Sequence, residues 1–315
     1  MKRGQGAPLK PRALTPGSRL AIVAPASPAE AAKLAAGQTE LGRMGFSSAS
    51  QPPLHPEAYF ADSVEERRKN FQRAMAAKEV TGLVGLRGGY GSNYLLDETL
   101  AKPLKRPKAI VGYSDLTSLQ IFLWQHRRWI TFYGPMVAAG FDAGAGNPHG
   151  YDEKSFLTAV RQSASGWALN LQGESLVSGE AQGRILGGCL TLVETSIGTD
   201  WELDTRGSIL ILEDRGMKPW QVDRALMHLK QAGKLQSVRA FVLGDFPECE
   251  AAVAGSPTVR HVCTRILGEL HVPIVFGAPI GHTARPMLTL PLGIKARLKA
   301  QGEGALEILE PAVVG

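Results

Sequence analysis

An α/β fold in two parts is what the sequence predicts, and three observations carry that reading. Short apolar runs alternate with amphipathic helical stretches through the first half of the chain. Strand and helix alternate with brief connections, which argues for a parallel sheet with helices packed on its faces. After residue 140 the pattern changes, and a loop leads into a second series of short strands. A length of 315 residues leaves ample core for two domains, and 44% hydrophobic with 20% charged residues is ordinary for a globular chain.

Residues 1 to about 16 are rich in Gly, Pro and basic side chains and read as a flexible tail. An N-terminal α/β domain is expected over 17–145. Its first strand is Leu20-Ala21-Ile22-Val23, followed by Pro25-Ala26-Ser27-Pro28 and an Ala-rich helix. Ser63-Val64-Glu65-Glu66 is a capping box that opens a helix running to about Ala77. Val80 to Leu86 is a second apolar strand ending in glycines, Val111 closes a third, and Leu116 to Trp129 makes the next helix. Residues 146–180, polar and weakly patterned apart from one helix, read as a linker. The C-terminal domain, 181–315, carries strands at Gly183 to Ile185, Ile209 to Leu212, Ala240 to Leu243 and Ile274 to Phe276. Its clearest helix is Trp220 to Ala232, with Val222, Ala225, Leu226 and Leu229 on one face and Gly233 as the stop.

Several function classes are disfavoured. The net charge is +6, but part of it sits at Lys2, Arg3, Lys10 and Arg12 and no basic block or aromatic-basic stripe follows, so a nucleic-acid partner is not expected. Cys189, Cys249 and Cys263 have no paired spacing, which points to a reducing, cytoplasmic setting. The basic N-terminus lacks a signal-peptide apolar core, and no apolar run is long enough for a membrane. The seven histidines show no metal-ligand spacing, so no metal or cofactor is expected.

The most informative stretch is Ala109-Ile110-Val111-Gly112-Tyr113-Ser114-Asp115-Leu116-Thr117. A strand passing through a tight turn into a helix lifts the turn side chain clear and aims free helix N–H groups at whatever it attacks. Ser114 therefore reads as a nucleophile on an elbow. Ser and Asp are also favoured N-caps, and the fifth position of G-x-S-x-G is Leu116, so the fragment alone leaves both readings open. Upstream, Arg87-Gly88-Gly89-Tyr90-Gly91-Ser92 exposes backbone N–H groups that suit an oxyanion. Downstream, Ile209 to Leu212 ends in Glu213-Asp214, a carboxylate placed to orient a histidine. His282, between Gly281 and Thr283 after an apolar strand, suits a general base and, taken alone, equally a structural histidine. In chain order Ser114, Glu213 and His282 supply nucleophile, orienter and base.

These motifs, together with Ala21 to Ser27, Gly134-Pro135-Met136, Gly187-Gly188, Gly198-Thr199, Asp223-Arg224 and Leu290-Pro291-Leu292-Gly293, form an ordered set over about 17–298. The set resembles the LD-carboxypeptidase family of serine peptidases, which also contains the microcin-immunity proteins. The resemblance implies a Ser114–Glu213–His282 triad and an oxyanion hole from backbone N–H groups of Asp115 and of Gly88 or Gly89. It implies an N-terminal α/β domain bearing the serine and a C-terminal domain, built around a β-sheet or barrel, bearing the other two. It also implies a metal-free homodimer that removes terminal D-alanine from murein tetrapeptide during cytoplasmic cell-wall recycling. Arg87, Tyr90, Arg215 and Trp220 are candidate substrate contacts, and Arg87, Arg215 and Arg285 compete for the substrate carboxylate.

Three positions depart from the family pattern: Tyr133 where His is usual before Gly-Pro-Met, Cys189 where Asn follows Gly-Gly, and Arg215 to Trp220 after Glu213-Asp214. They are expected to lie clear of the triad and to bear on the substrate. The competing readings are a microcin-immunity-type hydrolase of peptidyl- or aminoacyl-nucleotides, with Trp201 or Trp220 stacking on the base, an α/β-hydrolase esterase, and a non-catalytic peptide-binding protein.

Overall fold

The computed structural model describes residues 6–50, 55–97, 100, 107–251, 253 and 255–315. In chain order the first part runs β1 (Arg19–Val23), α1 (Ala31–Arg43), β2 (Ser47–Ser50), α2 (Val64–Ala76), β3 (Gly82–Gly85), β4 (Ala109–Gly112), α3 (Thr117–Arg127) and β5 (Thr131–Tyr133). Then come α4 (Glu153–Arg161), β6 (Trp167–Asn170), β7 (Glu174–Val177), β8 (Gly179–Cys189), α5 (Leu190–Thr195), β9 (Ser208–Glu213) and α6 (Pro219–Gln231). The chain closes with β10 (Ala240–Gly244), α7 (Val259–Leu267), β11 (Ile274–Ala278), β12 (Leu290–Leu292), β13 (Lys295–Ala300) and β14 (Ala305–Ile308).

Two α/β domains result. The first has a six-stranded sheet in the order β12-β5-β4-β3-β1-β2, parallel except for β12. The second has an open mixed sheet in the order β6-β14-β13-β8-β9-β10-β11-β7, with β8 to β11 parallel at its centre. Helices cover both faces of the parallel strands, and so β3, β4, β9 and β10 are buried along their whole length and read as unbroken apolar runs. The antiparallel strand β13 instead alternates buried and exposed positions. The Ser63 hydroxyl accepts from the Glu66 N–H and caps α2, as the sequence predicts.

Three boundaries differ from expectation. Residues 1–5 of the expected tail lie outside the described residues, but 6–16 do not behave as a tail. Leu9 and Arg12 bridge to Trp129 and Val314, the Leu14 N–H donates to Val160 O at 2.8 Å, and the Leu14 side chain is fully buried. Composition cannot reveal pairing between distant parts of a backbone. The stretch expected as a linker, 146–180, holds α4 and both edge strands of the C-terminal sheet, β6 and β7. Finally, β12 leaves the C-terminal domain and pairs antiparallel with β5, closing the edge of the N-terminal sheet.

Because Leu14 fills core beside β3, Leu14→Ala should destabilise the protein by about 2–5 kcal/mol, read from the midpoint of denaturant unfolding. A shift near zero would mean that the segment is not part of the core.

Candidate active site

Ser114 follows β4 by two residues and opens a short 3-10 turn, Ser114–Leu116, that runs directly into α3. Its φ of 59° lies in the left-handed region, a conformation that a non-glycine residue adopts only when its surroundings enforce it. The turn is packed too tightly for a side chain at Gly112, where a Cβ would stand 2.4 Å from Leu116 Cδ2. A Cβ on Gly88 would stand 2.7 Å from both Cβ and Oγ of Ser114 and 3.5 Å from the Asp115 nitrogen. Bare backbone at Gly88 thus faces the hydroxyl. Gly89, at φ 104°, lies against Ser27, whose hydroxyl accepts from the Tyr90 N–H at 3.2 Å.

The Asp115 side chain is buried behind the cleft and is not part of its lining. It accepts from the Ser92 N–H at 2.8 Å, while the Ser92 hydroxyl donates to Asp115 O at 2.6 Å. Burial pushes the Asp115 carboxyl up from its usual range, opposed by the Ser92 hydrogen bonds and the Arg67 charge. Arg67 itself donates to Gly91 O at 2.9 Å and to Pro25 O, and lies 4.5 Å over the Phe60 ring. Ser27, Ser92 and Arg67 therefore clamp the glycine loop to the elbow. Sequence reading passed over Arg67 because a cation in an amphipathic helix looks like solvent-facing surface.

Glu213 ends β9 and is fully buried. A Cβ on Gly244 would fall 2.5 Å from Glu213 Cβ, and one on Gly281 would fall 2.4 Å from Glu213 Cδ. Two glycines thus make room for the carboxylate. Its Oε2 accepts from the His282 backbone N–H at 2.8 Å and lies 2.8 Å from His282 Nδ1. Its Oε1 accepts from the Tyr133 hydroxyl at 2.5 Å. That bond corrects the expectation that Tyr133 lies clear of the triad residues: β5 runs beside β4 and ends facing Glu213. Burial opposes a charged His282 imidazole, but the charge and hydrogen bond of Glu213, with help from Asp214, outweigh it and raise its pKa.

Ser114 and His282 come from different domains and line one cleft of about 510 Å³. Gly88, Gly89, Arg87 and Arg215 line it too, with Arg215 paired to Glu248 at 2.5 Å. The other candidates lie elsewhere. Tyr90 joins Tyr59, Phe60 and Tyr94 in an aromatic cluster outside the cleft lining. Trp220 is 62% exposed at the start of α6, with the Arg224 guanidinium 5.3 Å over its ring. Trp201 is half-buried against the core. Arg285 is committed to Asp245 at 2.5 Å and to Gln172 O at 3.0 Å. Cys189 is buried and donates to Asp214 at 3.4 Å, away from the cleft lining. Among the described residues no group of three or more His, Cys, Asp or Glu is disposed to hold a metal ion, and no helix is long and apolar enough to cross a membrane.

Comparison with known proteins agrees with this architecture. Residues 20–134 match the LD-carboxypeptidase N-terminal domain and 182–298 match the LD-carboxypeptidase C-terminal domain. A probable murein peptide carboxypeptidase of Bacillus subtilis is 30% identical over 303 residues, covering 94% of this chain and 93% of that protein. The crystal structure of muramoyltetrapeptide carboxypeptidase from Oxalobacter formigenes aligns with TM-score 0.82 at 27% identity, covering 93% of this chain and 99% of that one. The microcin C7 self-immunity protein MccF, in complex with aspartyl sulfamoyl adenosine, aligns with TM-score 0.86 at 25% identity, covering 98% and 100%. With both domains matched in order and a relative of this identity spanning nearly the whole chain, the protein belongs to the LD-carboxypeptidase family of serine hydrolases.

Proposed function

We propose that this protein is a serine LD-carboxypeptidase that hydrolyses the L-to-D peptide bond of a murein tetrapeptide and releases the terminal D-alanine. One observation carries the reading. His282, bonded through Nδ1 to a buried Glu213, lines the same cleft as Ser114, which is strained into an elbow and faced by bare glycine backbone. The murein peptide activity named for the Bacillus subtilis and Oxalobacter formigenes relatives supports the substrate class.

In this mechanism His282 Nε2 takes the proton of Ser114 as Oγ attacks the scissile carbonyl carbon. Glu213 holds the ring through Nδ1–H and stabilises the imidazolium that forms. The N–H groups of Asp115 and the Gly88–Gly89 loop receive the developing oxyanion, and no side chain at Gly88 blocks the approach. His282 then gives its proton to the departing D-alanine amine. Water, deprotonated by the same imidazole, cleaves the acyl-enzyme and restores Ser114. Among the described residues the Ser114 hydroxyl makes no hydrogen bond, so the Ser114–His282 bond forms as substrate enters. We assign the substrate carboxylate to Arg87, which lines the cleft and among the described residues forms no salt bridge, donating only to Pro28 O at 3.4 Å, whereas Arg215 is paired with Glu248.

Mass spectrometry of murein tetrapeptide incubated with the protein should show loss of one D-alanine, and Ser114→Ala should leave it intact. An intact tetrapeptide with the unmodified protein would overturn the substrate. Gly88→Ala, which sets a methyl against Ser114, should lower kcat by about a hundredfold or more while circular dichroism stays unchanged. A base must be neutral to accept a proton, and Glu213 raises His282. The acid limb of kcat/KM should therefore lie above about 6.5, activity falling as pH drops through it. A limb below that value would show that His282 is not the base.

A further inference from the structure

The Tyr133 hydroxyl has no part in the mechanism above, yet it occupies one whole oxygen of the carboxylate on which that mechanism depends. Glu213 is fully buried, and a buried carboxylate oxygen without a donor is costly. Oε2 receives both donors of His282, and Oε1 receives the phenol. Tyr133 is itself fully buried and is held in the N-terminal sheet between Gly112 of β4 and Leu290 of β12. The phenol is thereby fixed to the same strand pair that launches Ser114.

A second contact crosses the domain boundary at the same place. The Cys189 N–H, in the C-terminal sheet opposite Glu213, donates to Thr117 Oγ1 at 3.2 Å, and Thr117 opens α3 three residues after Ser114. The Thr117 hydroxyl also acts on the Tyr133 phenol, pulling its pKa down against the larger upward push of burial and Glu213. A Cβ on Gly188 would stand 2.8 Å from Thr117 Oγ1 and 3.0 Å from Tyr133 Cε2, so the two domains meet here with nothing but backbone between them.

We propose that Tyr133 is a positioning residue that registers the Glu213–His282 pair against the nucleophile-bearing domain and, as the donor to Oε1, shares the carboxylate's charge with His282. The proposal rests on the Ser114–Glu213–His282 reading. Burial, and then the charge of Glu213, push the Tyr133 phenol well above its ordinary value, so it remains a donor throughout the working range. A donor on Oε1 draws charge from the carboxylate and leaves less on Oε2 to hold an imidazolium. An imidazole N–H is also a donor, so His at this position can stand in for the phenol. The groups facing His282 are Glu213, Asp214, Arg215 and the Tyr113 ring, and its charge is felt by Glu248 across the cleft. Of the donors to Glu213 among the described residues, Tyr133 is the one that comes from the other domain.

A fluorophosphonate tests this without a peptide substrate. Ser114 Oγ forms a bond to phosphorus, fluoride leaves, and the hydroxyl proton passes to His282. The rate of the Ser114 adduct is measured by mass spectrometry across pH for the full chain. Tyr133→Phe should label about ten- to a hundredfold more slowly, the weight of a hydrogen bond to a charged group, and its acid limb should move to higher pH. Tyr133→His should recover part of the rate. A merely structural role would lower thermal stability without moving the limb. Should Tyr133→Phe fail to fold, Thr117→Val keeps the phenol, removes its donor, and should shift the limb by a smaller amount. Labelling of the wild type at Ser114 with an unchanged rate and limb in the folded variant overturns the proposal alone. Absence of labelling at Ser114 in the wild type overturns the triad reading and this proposal with it.

Discussion

The burial of one carboxylate organises this protein. Placing Glu213 at the end of a fully buried strand demands donors for both oxygens and space around the side chain. The donors come from His282 and Tyr133, and the space comes from Gly244 and Gly281. Each requirement pulls a different part of the chain to one point: the ends of β9, β10 and β5 and the loop after β11. The cleft between the domains is the place where those demands are met together.

The Ser114 side of the cleft is built by the opposite means. Ser114 gains its exposure from backbone strain and from neighbours that lack side chains, rather than from bonds to its hydroxyl. What holds the strained turn is behind it: Asp115 tied to Ser92, and Arg67 tied to the carbonyls of Pro25 and Gly91. A rigid rear and an open front suit the nucleophile role proposed for Ser114.

Much of this was legible in the sequence where local rules govern. Apolar runs with tight turns gave β3, β4, β9 and β10, and the capping box gave α2, because those signals are written within a few residues. Ser114, Glu213 and His282 stood out as residue types at or just after strand ends, though nothing local could say that Ser114 and His282 line one cleft with Glu213 buried behind the imidazole. The reading failed where partners are remote. Leu14 looked like part of a Pro-rich tail, β6 and β7 looked like linker, and Tyr133 looked like a substrate contact. Each acquires its role from a strand or side chain far along the chain, and composition carries no trace of such partners.

The return of β12 to the N-terminal sheet has a consequence during synthesis. The strands β1 to β5 and the elbow emerge from the ribosome first, yet the outer edge of β5 finds its partner only once residues 290–292 have been made. Until then that edge presents unpaired N–H and C=O groups, a template for other chains. The polypeptide therefore carries that open edge through about half of its synthesis, and closes it only when His282 has also been delivered. Assembly of the cleft and protection of the nascent chain end in the same event.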